Sequence, residues 1–149
     1  MEEEKDISIL QATPTTWQML IDSGWNNPLS LKALCGGEAM PLNLARQLLN
    51  LCDELWNVYG PTETTIWSSI KQVHKNDTLI TIGKPINNTQ IYITDSEGNL
   101  LKPGAIGEIV IAGDGVANGY WKRPDLSSEK FIKNIFSKEN EAKLYKTGD

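Results

Sequence analysis

The sequence predicts an α/β fold in which βα units are followed by a small antiparallel β unit. Three observations carry this expectation. Short apolar, β-prone runs alternate with helical stretches over residues 1–65, and glycine or proline punctuates the changes. From residue 66 onward the helical periodicity gives way to short β-prone pieces separated by turn residues. The chain therefore divides into an α/β portion, 1–65, and a mainly β portion, 66–149, of partial-barrel or sandwich type.

Ile7-Ser8-Ile9-Leu10 is a strand-like run, and Pro14 opens a helix through Ile21 that Gly24 can close. Leu31 to Cys35 form a second strand ending in Gly36-Gly37. Pro41 then begins a helix with Leu42, Leu44, Ala45, Leu48, Leu49 and Cys52 on one face. Leu55 to Tyr59 is a third strand, stopped by Gly60-Pro61. Alternation of this kind implies parallel pairing, with ligand-binding loops at the carboxyl ends of the strands.

The β-prone pieces that follow are Ile66 to Val73, Leu79 to Ile82, Thr89 to Thr94 and Ile106 to Ala112. Asp95 to Asn99 and Lys102-Pro103-Gly104 have the composition of tight reversals. Asp125 to Phe131 predicts a short helix capped by Asp125 or Ser127.

Fourteen Lys and Arg against nineteen Asp and Glu give a formal net charge of -5, which argues against a nucleic-acid or anionic-membrane partner. No apolar run approaches the roughly 18 to 20 residues that span a bilayer. The start, Met1 to Asp6, is too acidic for the basic end of a signal peptide, so a cytoplasmic location is expected. Cys35 and Cys52 form no metal-ligand pattern and predict buried free thiols. His74 is the single histidine, in a polar stretch, and is expected to face solvent.

The densest chemistry lies in Asn57-Val58-Tyr59-Gly60-Pro61-Thr62-Glu63-Thr64-Thr65. Hydroxyls suit phosphate oxygens, Glu63 is a hard oxygen donor for Mg2+, and Tyr59 offers a flat face to a base. The plain alternative is a hairpin with a threonine-rich turn.

Asn57 with Tyr59-Gly60-Pro61-Thr62-Glu63 resembles the N-x-Y-G-P-T-E motif of adenylate-forming enzymes, in particular the adenylation domains of nonribosomal peptide synthetases. Two further stretches resemble that family's motifs in the same order: Gly107 to Trp121 and Tyr145-Lys146-Thr147-Gly148-Asp149. The second departs from the usual pattern at Asn118, where arginine is common, and at Trp121. Read without the resemblance, it is a strand and a glycine-rich bend supporting the nucleotide loop.

The resemblance implies part of the large N-terminal core of an adenylate-forming enzyme. Its parent would activate an amino acid with ATP and Mg2+ to an aminoacyl-AMP and load it onto a carrier-protein phosphopantetheine, beside condensation domains. Tyr59 would stack on adenine, with Gly37-Glu38-Ala39 as the opposite wall and Asn57 at the adenine edge. Thr62 would contact the α-phosphate, Glu63 would bind Mg2+, and Asp149 would accept from the ribose hydroxyls. The substrate pocket would fall on Gln11, Leu34, Gly36, Val58, Ile66 and Trp67. That series resembles the pocket of glycine-activating domains, with alanine or another small residue as second choice, because filled volume rejects larger side chains.

The family's phosphate loop, its ammonium-binding aspartate and the lysine of its mobile C-terminal domain have no counterparts in these residues. The segment is therefore expected to be an internal fragment, with little or no activity alone and exposed sheet edges. The competing readings are a fragment of an acyl-CoA or aryl-acid ligase, and a non-catalytic truncated binding module.

Overall fold

A computed structural model describes residues 7–137 and 142–149; the acidic start read above lies outside them. The chain forms two compact units, residues up to 59 with 69–84, and residues 60–68 with 85–149.

In the first unit, strand β1 (Ile9–Ala12) leads into helix α1 (Pro14–Asp22), strand β2 (Leu29–Gly36) into helix α2 (Leu42–Leu48), and strand β3 (Cys52–Tyr59) follows. Thr13 caps α1, its Oγ1 accepting from the Thr16 N–H at 3.2 Å, and Pro14 occupies the first turn where no intrahelical donor is needed. Helix α1 ends before Gly24, whose φ of 106° suits the residue beyond a helix end. Strands β1, β2 and β3 pair in parallel, Gln11 beside Leu34 and Gly36 beside Val58. The alternation within β2 puts Leu31, Ala33 and Cys35 into the core with Trp17, Leu44, Leu48 and Leu55. Trp17 is fully buried, and its indole N–H reaches the Leu34 carbonyl at 3.2 Å, satisfying the one polar atom it carries inward.

Strand β4 (Ser69–Val73) adds antiparallel to β3, and the two-residue β5 (Lys84–Pro85) closes the sheet order β1-β2-β3-β4-β5. Two expectations fail here. The strand expected from Ile66 starts only at Ser69, because Thr65 and Ile66 both take left-handed backbone, φ 62° and 71°, incompatible with a strand. Leu79 to Ile82 is not a strand. Its carbonyls find side-chain donors instead: Asn57 Nδ2 to Thr81 O at 2.9 Å and Ser69 Oγ to Ile82 O at 2.7 Å.

The second unit is built on strands β6 (Thr89–Thr94), β7 (Glu108–Gly113), β8 (Phe131–Lys133) and β9 (Lys143–Lys146), with helix α3 (Pro124–Lys130) before β8. They form an antiparallel sheet in the order β6-β7-β9-β8 around Val110, Ala112 and Leu144. Strand β7 begins at Glu108, two residues later than its apolar run, and Ile106 is fully exposed. The cap of α3 also differs from expectation. Arg123 stands at the cap position and Asp125 pairs with it at 3.0 Å, while Ser127 Oγ donates to the Arg123 carbonyl from within the helix. Both cysteines are free, Cys35 buried and Cys52 half-buried, and His74 is exposed.

Candidate functional site

In the first unit the residues singled out by motif gather at the carboxyl ends of two adjacent parallel strands. Gly36 ends β2 opposite Val58 on β3, so the carboxyl ends of the two strands lie side by side. Gly37 turns the chain with φ 88°, a conformation glycine adopts without strain. Glu38 is anchored to the start of α1, its Oε2 accepting from Thr15 Oγ1 at 2.6 Å and from the Thr15 N–H at 3.3 Å. Glu38 and Ala39 are exposed, as is Gln11, whereas Leu34 and Tyr59 are half-buried and Gly36, Asn57 and Val58 are buried. Asn57 is held by its amide N–H on Thr81 O, which fixes the side chain and commits a donor.

The second unit carries Thr62, Glu63, Ile66, Trp67 and Asp149. Thr62–Thr64 is a single 3-10 turn. Buried Thr64 donates to Pro61 O at 3.1 Å and shares a 2.6 Å hydroxyl contact with buried Ser68, so the turn is tied down from within while Thr62 stays exposed. Ile66 is exposed and Trp67 half-buried.

The stretch Gly115 to Tyr120 clamps this turn. Ala117 N donates to Glu63 O at 2.8 Å, Thr65 Oγ1 to Gly115 O at 2.7 Å, and the Tyr120 phenol to Glu63 Oε1 at 2.5 Å. A Cβ on Gly115 would meet Thr64 O at 2.7 Å, so the close approach requires glycine. The glycine-rich bend thus supports the loop through backbone and one phenol. Asn118 contributes through its main chain, its carbonyl accepting from Lys143 Nζ at 2.8 Å, a bond indifferent to the side chain at 118.

The third motif reaches the same carboxylate. Tyr145 lies 3.4 Å from Tyr120, hydroxyl to hydroxyl, and Tyr120 in turn donates to Glu63. Burial pushes the Glu63 carboxyl up, but the Tyr120 hydrogen bond, its own backbone, the neighbouring Tyr145 hydroxyl and nearby Lys130 together hold it below the usual carboxylate range. Burial pushes both phenols up; for Tyr120 the hydrogen bond to Glu63 adds to it, and for Tyr145 the neighbouring Tyr120 hydroxyl does. The arrangement is an ionised carboxylate beside two protonated phenols. Asp149 is exposed; its backbone accepts from Ile109 N and donates to Thr147 Oγ1, both at 3.0 Å, while Gly148 N donates to Glu108 Oε1 at 3.1 Å. This pins the turn to the start of β7.

Sequence spacing does not single out Tyr120 and Tyr145: both stand inside the motif stretches, yet nothing in spacing alone joins them to a carboxylate far away in sequence. Among the described residues no group of three or more His, Cys, Asp or Glu could form a metal cluster, and no helix is long and apolar enough to cross a membrane.

Residues 2–121 match the family model described as AMP-binding enzyme. The chain is 43% identical, over its whole length, to a dimodular nonribosomal peptide synthase of Bacillus subtilis, of which it spans 6%. It superposes with a TM-score of 0.90 and 47% identity on a four-domain nonribosomal peptide synthetase solved with AMP and glycine, covering 98% of this chain and 11% of that one. The fold alone is shared with the N-terminal subdomain of Klebsiella oxytoca NpsA, at TM-score 0.82 and 21% identity over 95% of this chain and 36% of the other. The three motifs, the clamped loop that joins them and a likeness to peptide synthetases along the whole chain agree: the chain belongs to the AMP-binding enzyme family, as a segment similar to their adenylation domains.

Proposed function

We propose that this chain is the substrate-selecting and nucleotide-contacting portion of an amino-acid adenylation domain, with glycine as the preferred substrate. The amino-acid carboxylate attacks the α-phosphate of ATP and pyrophosphate leaves; the carrier-protein phosphopantetheine thiol then attacks the aminoacyl carbonyl of the aminoacyl-AMP, forming a thioester as AMP departs. The carrying observation is the chain of contacts that joins the three motifs, Glu63 to the Tyr120 phenol and the Tyr120 phenol to the Tyr145 phenol.

Tyr59 stacks on adenine against the wall of Gly37, Glu38 and Ala39. Because Asn57 spends an amide hydrogen on Thr81, its side-chain oxygen is the acceptor it has for the exocyclic amine of adenine. Thr62 donates its hydroxyl to the α-phosphate, and Asp149 accepts from the ribose diol. Such catalysis is positioning and charge stabilisation.

Glu63 fits a hard cation: its carboxyl is held below the usual range, and the Tyr120 phenol on Oε1 uses only part of a carboxylate's capacity of about four lone-pair sites. Mg2+ characteristically binds through one or two carboxylates together with substrate phosphates, and it would neutralise phosphate charge when present. Glu63 would hold it.

The glycine preference rests on the series Gln11, Leu34, Gly36, Val58, Ile66 and Trp67, and on the 47% identity to a synthetase solved with AMP and glycine. Amino-acid-dependent ATP–pyrophosphate exchange by the full-length protein tests it. Glycine should give the fastest exchange and alanine a slower one; faster exchange with leucine or phenylalanine overturns the preference. Activation of aryl or fatty acids in place of any amino acid would overturn the whole reading. A cytoplasmic location, a carrier-protein partner and condensation domains belong to the same proposal.

A further inference from the structure

Tyr120 is immobilised at three points. Its backbone N–H donates to Ser127 Oγ at 2.8 Å, its ring lies edge-on to Phe131 with centroids 5.3 Å apart at 71°, and its hydroxyl ends on Glu63 Oε1 at 2.5 Å. Phe131 in turn packs on Tyr145, centroids 5.1 Å apart. An ionised carboxylate has no proton to give, so the phenol is the donor and the bond is charge-assisted. Glu63 is also fixed at its backbone, where Ala117 N donates to its carbonyl. A glutamate side chain with three rotatable bonds is thus held at both ends.

We propose that Tyr120 is a positioning residue for Glu63: its phenol occupies Oε1 and sets the orientation in which the rest of the carboxylate meets a divalent cation. The inference rests on Glu63 as the cation-binding carboxylate. Tyr120 acts through Glu63, and cation affinity depends on it far more than nucleotide affinity does. Partners of ligating groups of this kind typically contribute about 10- to 100-fold in metal affinity.

The test uses the full-length protein, Mn2+ as probe and a non-hydrolysable ATP analogue, with bound Mn2+ read by electron paramagnetic resonance. AMP binding without metal serves as the control. Tyr120→Phe should weaken Mn2+ binding by about 10-fold or more while AMP affinity stays within about 2-fold, and adding it to Glu63→Gln should cost little further. If Glu63→Gln weakens Mn2+ binding and Tyr120→Phe does not, the positioning role is overturned while Glu63 keeps its own. If Glu63→Gln has no effect, the cation role of Glu63 fails, and this inference with it. Equal losses for Mn2+ and AMP in Tyr120→Phe also overturn it, since a general structural defect produces them. Should Tyr120→Phe fail to fold, 3-fluorotyrosine at position 120 keeps ring and hydroxyl. Its 19F signal should broaden when Mn2+ binds with the analogue, and an unbroadened signal overturns the proposal.

Discussion

Gly36 and Val58 face each other across the β2–β3 pairing so closely that a Cβ on Gly36 would lie 2.5 Å from both Val58 Cγ2 and Val58 O. One contact is to backbone, which cannot rotate away. Gly36→Ala should therefore destabilise the protein by about 1–3 kcal/mol through overpacking. Equilibrium urea unfolding checks this, and a change below about 0.5 kcal/mol would show that the strands part without cost. Because both residues belong to the proposed pocket, the same variant should slow glycine-dependent exchange.

Thr64 and Ser68 share the 2.6 Å hydroxyl contact beneath the 3-10 turn, and both are buried. Thr64 donates to Pro61 O, which leaves Ser68 as the donor in the pair. Thr64→Val strands the Ser68 hydroxyl and should cost about 1–3 kcal/mol. Thr64→Val with Ser68→Ala should cost less than the sum of the two single changes. Strict additivity in unfolding experiments would deny the coupling.

Burial, with a smaller contribution from Glu38, pushes the Cys35 thiol up to about 12; burial, with Asp53, pushes Cys52 up to about 11. Thiolate is the reactive form, so both should resist alkylation in the folded protein near neutral pH. Iodoacetamide labelling followed by peptide mass spectrometry should find Cys35 slower than half-buried Cys52, with both reacting rapidly in denaturant. Faster labelling of Cys35 than of Cys52 in the native protein would contradict the packing.

Asp77 accepts from the His74 N–H at 3.0 Å and pairs with Lys71 at 2.9 Å, and these contacts hold its carboxyl below the usual range. A depressed folded-state value stabilises above the ordinary carboxylate pKa of about 3.9, and the contribution is lost as pH falls through the folded value. The stability difference between the native protein and Asp77→Asn should be constant near neutral pH and shrink below about pH 4. A difference that grows on acidification would reverse the sign and refute the pairing.

Strand alternation was legible because β2 reads Leu31, Ala33, Cys35 inward, and the third-strand ending was legible from Gly60-Pro61. Leu79 to Ile82 misled because apolar composition marks a strand only if a neighbour pairs with its backbone. Here the side chains of Asn57 and Ser69 take the carbonyls instead. Ser127 misled for a related reason: a serine that can cap a helix can equally donate back to Arg123 O from inside it.

By itself the sequence determined the α/β class, the three motifs, the free thiols and the family to which the chain belongs, since these depend on residue type, local period and order. The tertiary structure alone decided that Gly115 to Tyr120 clamps the Thr62–Thr64 turn and that the Tyr120 phenol links Glu63 to Tyr145. Hydrogen bonds between residues far apart in sequence leave no periodic trace. They exist only once the antiparallel pairing of β7, β8 and β9 has brought Phe131 and Tyr145 side by side.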